Sequence, residues 1–260
     1  MSQFSVCVII PAAGRGERFG GEKISQEIGG RPMLLRTVEI FTRRPEVTCV
    51  IVAAPPDGME EFASRFGAQL GFHGVKVVPG GRAERWETVS LALAHVPEGV
   101  THVAVHDAAR PCASDELVSR VFEAAHVAPA VIPGDPVRAT LKRVSAQLVS
   151  AAADDAIADA ILGDAGREAA QGRLVEETIP RDRMVAVQTP QVFEIGLLRR
   201  AYAQPDLAGV TDDAMLVERL GEPVLVVDGE VRNIKVTTRE DLLVARAFAS
   251  MPTSGAPRQW

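Results

Sequence analysis

Cysteine is scarce. Cys7, Cys49 and Cys112 are the three in 260 residues, odd in number and far apart. They make neither a disulfide framework nor a metal site, and Cys7 and Cys49, set in apolar runs, read as small core residues. No apolar run reaches membrane-spanning length. The N-terminus has no basic segment followed by a long apolar one, so no signal peptide is predicted. Positive charge is not in excess either: the formal net charge is −6, which argues against nucleic acid as the main partner. The expectation is a cytoplasmic protein with no nucleic-acid or membrane partner. Two nucleotide signatures are also missing. No Gly-Lys pair occurs, which excludes the Walker pattern, and Gly14, Gly16 and Gly20 miss the dinucleotide fingerprint spacing by one residue.

What is present near the start is VCVIIPAAGRGERFGGEK, Val6 to Lys23. Val6 to Ile10 reads as a buried strand that Pro11 ends. The loop after it sets Arg15, Arg18 and Lys23 among Gly14, Gly16, Gly20 and Gly21. Glycine lets backbone N–H groups approach a phosphate closely, and the cations supply opposing charge. For glycines alone a solvated surface loop is the simpler reading. The interleaved basic residues, directly after the first strand, favour phosphate, and a triphosphate over a dinucleotide.

Further along, apolar runs alternate with helical patterns. Helices are predicted over Pro32 to Arg44, from an Asp57 cap through Ala68, over Glu84 to Val96, and from a Ser114 cap through His126. Strands are predicted at Val47 to Ala53, Val75 to Val78, His102 to His106 and Ala130 to Pro133. This alternation implies an α/β fold with a doubly wound, mainly parallel sheet, whose ligands bind at the carboxyl ends of the strands. The pattern then changes. Pro136 to Val149 reads as an extended excursion, and the Ala- and Asp-rich Ala151 to Gly172 as a weak helix or surface insertion. A strand at Met184 to Val187, helices at Phe193 to Ala203 and Asp212 to Leu220 (capped by Thr211), strands at Pro223 to Val227 and Asn233 to Thr237, and a helix at Arg239 to Ser250 complete it. No domain linker stands out. Residues 1–250 read as one domain with an excursion at about 136–183, and Met251 to Trp260 as a loose tail.

Other segments carry chemistry. PGGRAERWETV, Pro79 to Val89, puts Gly80 and Gly81 before a helix that includes Thr88, either an ordinary turn and cap or a site for a polar ligand. HDAARP, His106 to Pro111, closes a strand with Asp107 and Arg110, either an ion pair or an acid that holds a substrate hydroxyl or a metal. His106 has no second ligand nearby, so no metal ligand is assigned with certainty. Thr140, Lys142 and Arg143, and likewise Arg181 and Arg183, are solvated charge or an anion site. Lys235 stands in an apolar run, as an edge residue or facing an anion.

Taken in order, PAAGRGERFG with Lys23, GGRAERWETV, VHDAARP, DPVRATLKR, QTPQVF, VTDDA and NIKVTTREDL resemble the 2-C-methyl-D-erythritol 4-phosphate cytidylyltransferase family. The resemblance runs over residues 6 to 245. It implies a Rossmann-like nucleotidyltransferase fold with an extended dimerisation arm. It also implies the transfer of CMP from CTP to a phosphomonoester with release of pyrophosphate, in the presence of Mg²⁺. Arg18 and Lys23 match the pair that stabilises the charged transition state. Ala12, Ala13, Gly14 and Gly16 match backbone that holds CTP, and Gly81 and Thr88 match cytosine contacts. Asp107, Arg110, Thr140, Arg181, Thr211 and Lys235 match the acceptor side, Thr140 and Arg181 coming from the partner in a homodimer. Ala139, Glu22, Arg82 and Arg232 depart from the family's usual residues. A cytidylyltransferase for another polyol phosphate such as ribitol 5-phosphate, and a non-catalytic nucleotide-binding regulator of the same fold, are the rivals. The regulator predicts loss of Arg18 or Lys23, and both are present.

Overall fold

In the computed structural model the described residues are 4–14, 19–20, 23–151 and 170–251. The chain divides into two compact units: residues 1–135 with 187–260, and residues 136–186.

The first unit is built on a sheet whose centre is β1 (Val6–Pro11). Residues 6 to 10 are all fully buried, which is why they read as a continuous apolar run: a strand covered on both faces has no polar side to show. On one side of β1 lies β2 (Val47–Ala54), followed outward by β3 (Lys76–Pro79), and on the other side β4 (His102–Val105), all parallel. β5 (Ala130–Pro136) and β6 (Gln191–Glu194) continue the sheet, and β6 lies between β4 and β5, antiparallel to both. β7 (Leu225–Asp228) runs parallel to β5.

Alternate residues of β1 feed two cores. Val6, Val8 and Ile10 pack with α1 (Met33–Thr42), α2 (Met59–Phe72) and α4 (Asp115–Ala125). Cys7 and Ile9 pack with α3 (Arg85–Leu93), α5 (Ile195–Tyr202) and α6 (Asp213–Arg219). A third cluster joins Phe19, Ile28 and Met33 to α7 (Arg239–Ser250). The result is the expected α/β layering, a mainly parallel sheet with helices on both faces.

Several local expectations need correction. Phe193 is not in a helix; it lies in β6, its apolar neighbours too few to reveal a period. Asn233 to Thr237 is not a strand. Its bonds go to loops, Asn233 N–H to the Glu230 carbonyl (3.0 Å) and Val236 N–H to that of Ala109 (2.8 Å). Asp57 does not cap α2: Gly58 holds that position without a side-chain bond, and the Asp57 carboxylate pairs with Arg82. Thr211 does not cap α6; the neighbouring Asp212 does, accepting from Met215 N–H. Ser114 does cap α4, accepting from Leu117 N–H.

The second unit is two antiparallel ribbons. Leu141–Val144 pairs with Val175–Ile179, and Val149–Ala151 with Ala170–Gly172. The helix or insertion expected over Ala151 to Gly172 falls, apart from these short strands, outside the described residues, as does nearly all of the expected tail.

Candidate active site

β1 and β4 are neighbours at which the strand order turns back, and a crevice opens beyond the carboxyl ends of strands at such a switch point. Here it is a cavity of about 540 Å³. Three stretches wall it: Ala12, Ala13 and Gly14 after β1; Gly81 to Ala83 with Arg85 and Thr88 after β3; and Asp107 to Ala109 after β4. Lys23, which opens a short 3-10 turn (Lys23–Ser25), and Lys235 also line it. A second cavity of about 290 Å³ is lined by Arg110, Gln188, Thr189, Gln191 and Thr211. Arg85, Asp107 and Lys235 belong to both cavities.

The glycines after β3 are required by space. A Cβ on Gly80 would fall 2.7 Å from that of Ala13, and one on Gly81 would fall 2.5 Å from that of Glu87. This close approach keeps the loop against the end of β1. Glu84 and Glu87 form a reciprocal capping box at the start of α3. The Thr88 hydroxyl accepts from Gly81 N–H at 3.0 Å and keeps its own proton to donate. Ala12 donates its N–H to the Ala53 carbonyl at 2.8 Å, so Ala12 lines the cavity as a wall and offers no N–H to a ligand.

Asp107 is the electrostatic centre. Its Oδ2 lies 3.1 Å from both Arg110 Nε and Lys235 Nζ, and its Oδ1 3.5 Å from Arg85 Nε. Burial opposes its ionisation, yet the charges of Arg85, Lys235 and Arg110 hold the carboxyl well below the usual carboxylate range. The Asp107–Arg110 ion pair, one of the two alternatives for HDAARP, is present, with two more cations added. Arg110 also donates to the carbonyls of Asn233 (2.7 Å) and Val187 (3.4 Å), which fixes it in the wall. Thr189 Oγ1 accepts from the Asp107 N–H at 3.0 Å.

His106 is a satisfied core residue. Its Nε2 meets the Arg110 carbonyl and its Nδ1 the Thr189 hydroxyl, each at 3.1 Å. A carbonyl only accepts, so Nε2 carries the proton and Nδ1 receives one from Thr189. Among the described residues no cluster of three His, Cys, Asp or Glu could hold a metal, and Asp107 is already surrounded by three cations. This donor set does not make a side-chain magnesium site.

Ala12, Ala13, Gly14, Lys23, Gly81, Thr88, Asp107 and Lys235 therefore meet at the first cavity, and Arg110 and Thr211 join Asp107 and Lys235 at the second. Gly16 and Arg18 lie outside the described residues. Thr140 and Arg181 belong to the second unit, where Arg181 donates to the Arg138 carbonyl and Arg183 takes a positive φ of 63° in the turn that follows. Sequence reasoning did not single out Arg85. It read as one more charged residue of a helix start, and its partner Asp213 lies far away in sequence.

A family model described as 2-C-methyl-D-erythritol 4-phosphate cytidylyltransferase matches residues 6–156 and 148–250. A protein of that name from Frankia casuarinae is 44% identical over 248 residues, 94% of this chain and 80% of its own. Another of that name, from Alkaliphilus metalliredigens, is 34% identical over 98% of this chain and 97% of its own. The solved structure of the Thermus thermophilus enzyme so named superposes with a TM-score of 0.70 at 34% identity, covering 95% of this chain and all of that one. A crystal structure named 4-diphosphocytidyl-2C-methyl-D-erythritol synthase gives a TM-score of 0.72 at 31% identity, over 95% of this chain and 99% of the other. Among the described residues no helix is long and apolar enough to cross a membrane.

Proposed function

The chain belongs to the 2-C-methyl-D-erythritol 4-phosphate cytidylyltransferase family, and from that premise we propose that it transfers CMP from CTP to 2-C-methyl-D-erythritol 4-phosphate, in the supply of isoprenoid precursors in the cytoplasm. A phosphate oxygen of the acceptor attacks the α-phosphorus of CTP. The bond from that phosphorus to the bridging oxygen breaks, pyrophosphate leaves, and 4-diphosphocytidyl-2-C-methyl-D-erythritol forms.

The observation that carries this reading is the pair of adjoining cavities with Asp107 and Lys235 in their common wall. One cavity is lined by the glycine-bearing loops and Lys23, the other by Arg110 and Thr211. In this reading the first takes CTP. The backbone of Ala13, Gly14 and Gly16 follows the phosphates, Ala12 closes the wall, and Gly81 and Thr88 meet the cytosine edge. Lys23 and Arg18 oppose the charge that grows on the α-phosphate; such transfers need positioning and charge neutralisation more than covalent help. Lys235 sits where the two substrates would meet. Asp107, with Arg110 behind it, and Thr211 face the acceptor's hydroxyls, and Thr140 and Arg181 of a partner copy close over its phosphate. Residues 1–250 would then act as one catalytic domain, with 136–183 as the arm of a homodimer. Magnesium would enter with CTP and offset phosphate charge, and no step here relies on a side-chain metal ligand.

The test is pyrophosphate release with CTP, Mg²⁺ and three acceptors: methylerythritol 4-phosphate, ribitol 5-phosphate and glycerol 3-phosphate. Turnover with the first alone is expected. Turnover with another instead would keep the chemistry and replace the acceptor, and CTP binding without any turnover would leave a nucleotide-binding regulator.

A further inference from the structure

Arg85 touches two carboxylates in different parts of the chain. Its Nη2 lies 2.7 Å from Asp213 Oδ2 and its Nε 3.5 Å from Asp107 Oδ1. Asp213 is fully buried at the first turn of α6. The Tyr202 hydroxyl donates to its Oδ1, and Gln191 Oε1 accepts from the backbone N–H groups of Asp213 and Ala214, each at 3.1 Å. A buried carboxylate without a cation is strongly destabilising, so Asp213 ties the guanidinium to a fixed point of the fold.

The two oxygens of Asp107 are treated differently. Oδ2 takes both close cations, Arg110 and Lys235. Oδ1 has Arg85 Nε at 3.5 Å, too long for a good hydrogen bond. The charge is near enough to orient the carboxylate and too far to occupy the oxygen. On the reading of Asp107 given under Proposed function, we propose that Arg85 is a positioning residue. Anchored on Asp213, it turns Asp107 so that Oδ1 stays aimed at the cavity and open to an acceptor hydroxyl. A carboxylate with cations on one oxygen alone would be free to pivot about them.

A double-mutant cycle tests this, because a residue that acts only through another shows non-additive losses. Arg85→Gln, Asp107→Asn and the double variant are compared in kcat/KM for the acceptor and KM for CTP. Arg85→Gln leaves Asp213 unpaired, so Arg85→Gln/Asp213→Asn, in which both members of that buried pair are neutral, is measured beside it. Arg85→Gln is expected to lower acceptor kcat/KM by about 10- to 100-fold, the range for a hydrogen bond to a charged group, and to leave the CTP KM nearly unchanged. The double variant is expected to be no worse than Asp107→Asn alone. Losses that multiply would overturn the inference, as would a change confined to the CTP KM. If Asp107→Asn alone leaves acceptor kinetics untouched, the assignment of Asp107 fails, and the role given to Arg85 fails with it.

Discussion

The two units of this chain solve opposite problems. In the first, β1 is dry on both faces and its side chains are shared between two helical layers. In the second, the ribbons leave their apolar residues in water: Leu148 is 63% exposed, Leu174 61% and Val175 59%. The charged pairs there, such as Arg143 with Glu177, are exposed as well and contribute little stability. Covering such side chains would remove apolar surface from water, which is favourable. The comparison teaches that the first unit fixes its side chains by its own core, whereas the second leaves apolar side chains uncovered. A second copy of the chain is the occupant inferred under Proposed function.

The strongest way to break that division of labour is at Lys23. Lys23→Ala is expected to lower kcat by about 100-fold or more, the effect of losing a charge aimed at the transition state, while circular dichroism and the thermal midpoint stay near those of the parent. Near-normal kcat would remove Lys23 from the chemistry and weaken the claim that the first unit holds the reactive centre.

A smaller effect sharpens the role of the second unit. Arg181→Ala is expected to raise the acceptor KM far more than the CTP KM. Lys23→Ala and Arg181→Ala chains are then co-expressed and assayed at low acceptor concentration. If Arg181 serves the partner's site, each mixed dimer holds one site in which both residues are intact. Random pairing then restores about a quarter of parent activity, since half the dimers are mixed and each has one good site of two. If Arg181 serves its own chain's site, every site carries a defect and nothing is regained. Equal effects of Arg181→Ala on both KM values would contradict its assignment to the acceptor.

The two units were also unequally legible in sequence. β1 announces itself, because a buried parallel strand leaves an unbroken apolar run. Ser114 was readable as a cap for the same local reason. What could not be read rests on partners distant in the chain. Arg85 looks like any charged residue at a helix start until Asp213 and Asp107 are brought to it. In VTDDA, Thr211 and Asp212 are equally good caps by type, and backbone geometry gives the position to Asp212. Asn233 to Thr237 alternates like a strand, yet Asn233 Nδ2 reaches the Thr189 carbonyl at 2.8 Å and pins the segment across the strand ends. The second cavity is assembled from several such segments, so only its individual motifs were visible, and its assembly was not.

The smallest expected effect is a pH dependence carried by the first unit. His106, in the first, is fully buried against Phe41, and burial lowers its pKa to about 4. Its hydrogen bonds fit the neutral ring alone, with Nδ1 accepting from Thr189. Between pH 4 and 6.5 the unfolded chain binds the proton that folded His106 refuses, so stability rises with pH across that window. The contribution is complete above about pH 6.5 and is lost as pH falls toward 4. A shift of this size is worth on the order of 3 kcal/mol. Urea unfolding at half-unit pH steps should show that slope in the parent and a flatter one in His106→Gln, whose midpoint is lower throughout. An unchanged slope in His106→Gln would move the pH dependence away from His106. The half-buried His102, whose pKa burial also lowers, would then be the next group to replace.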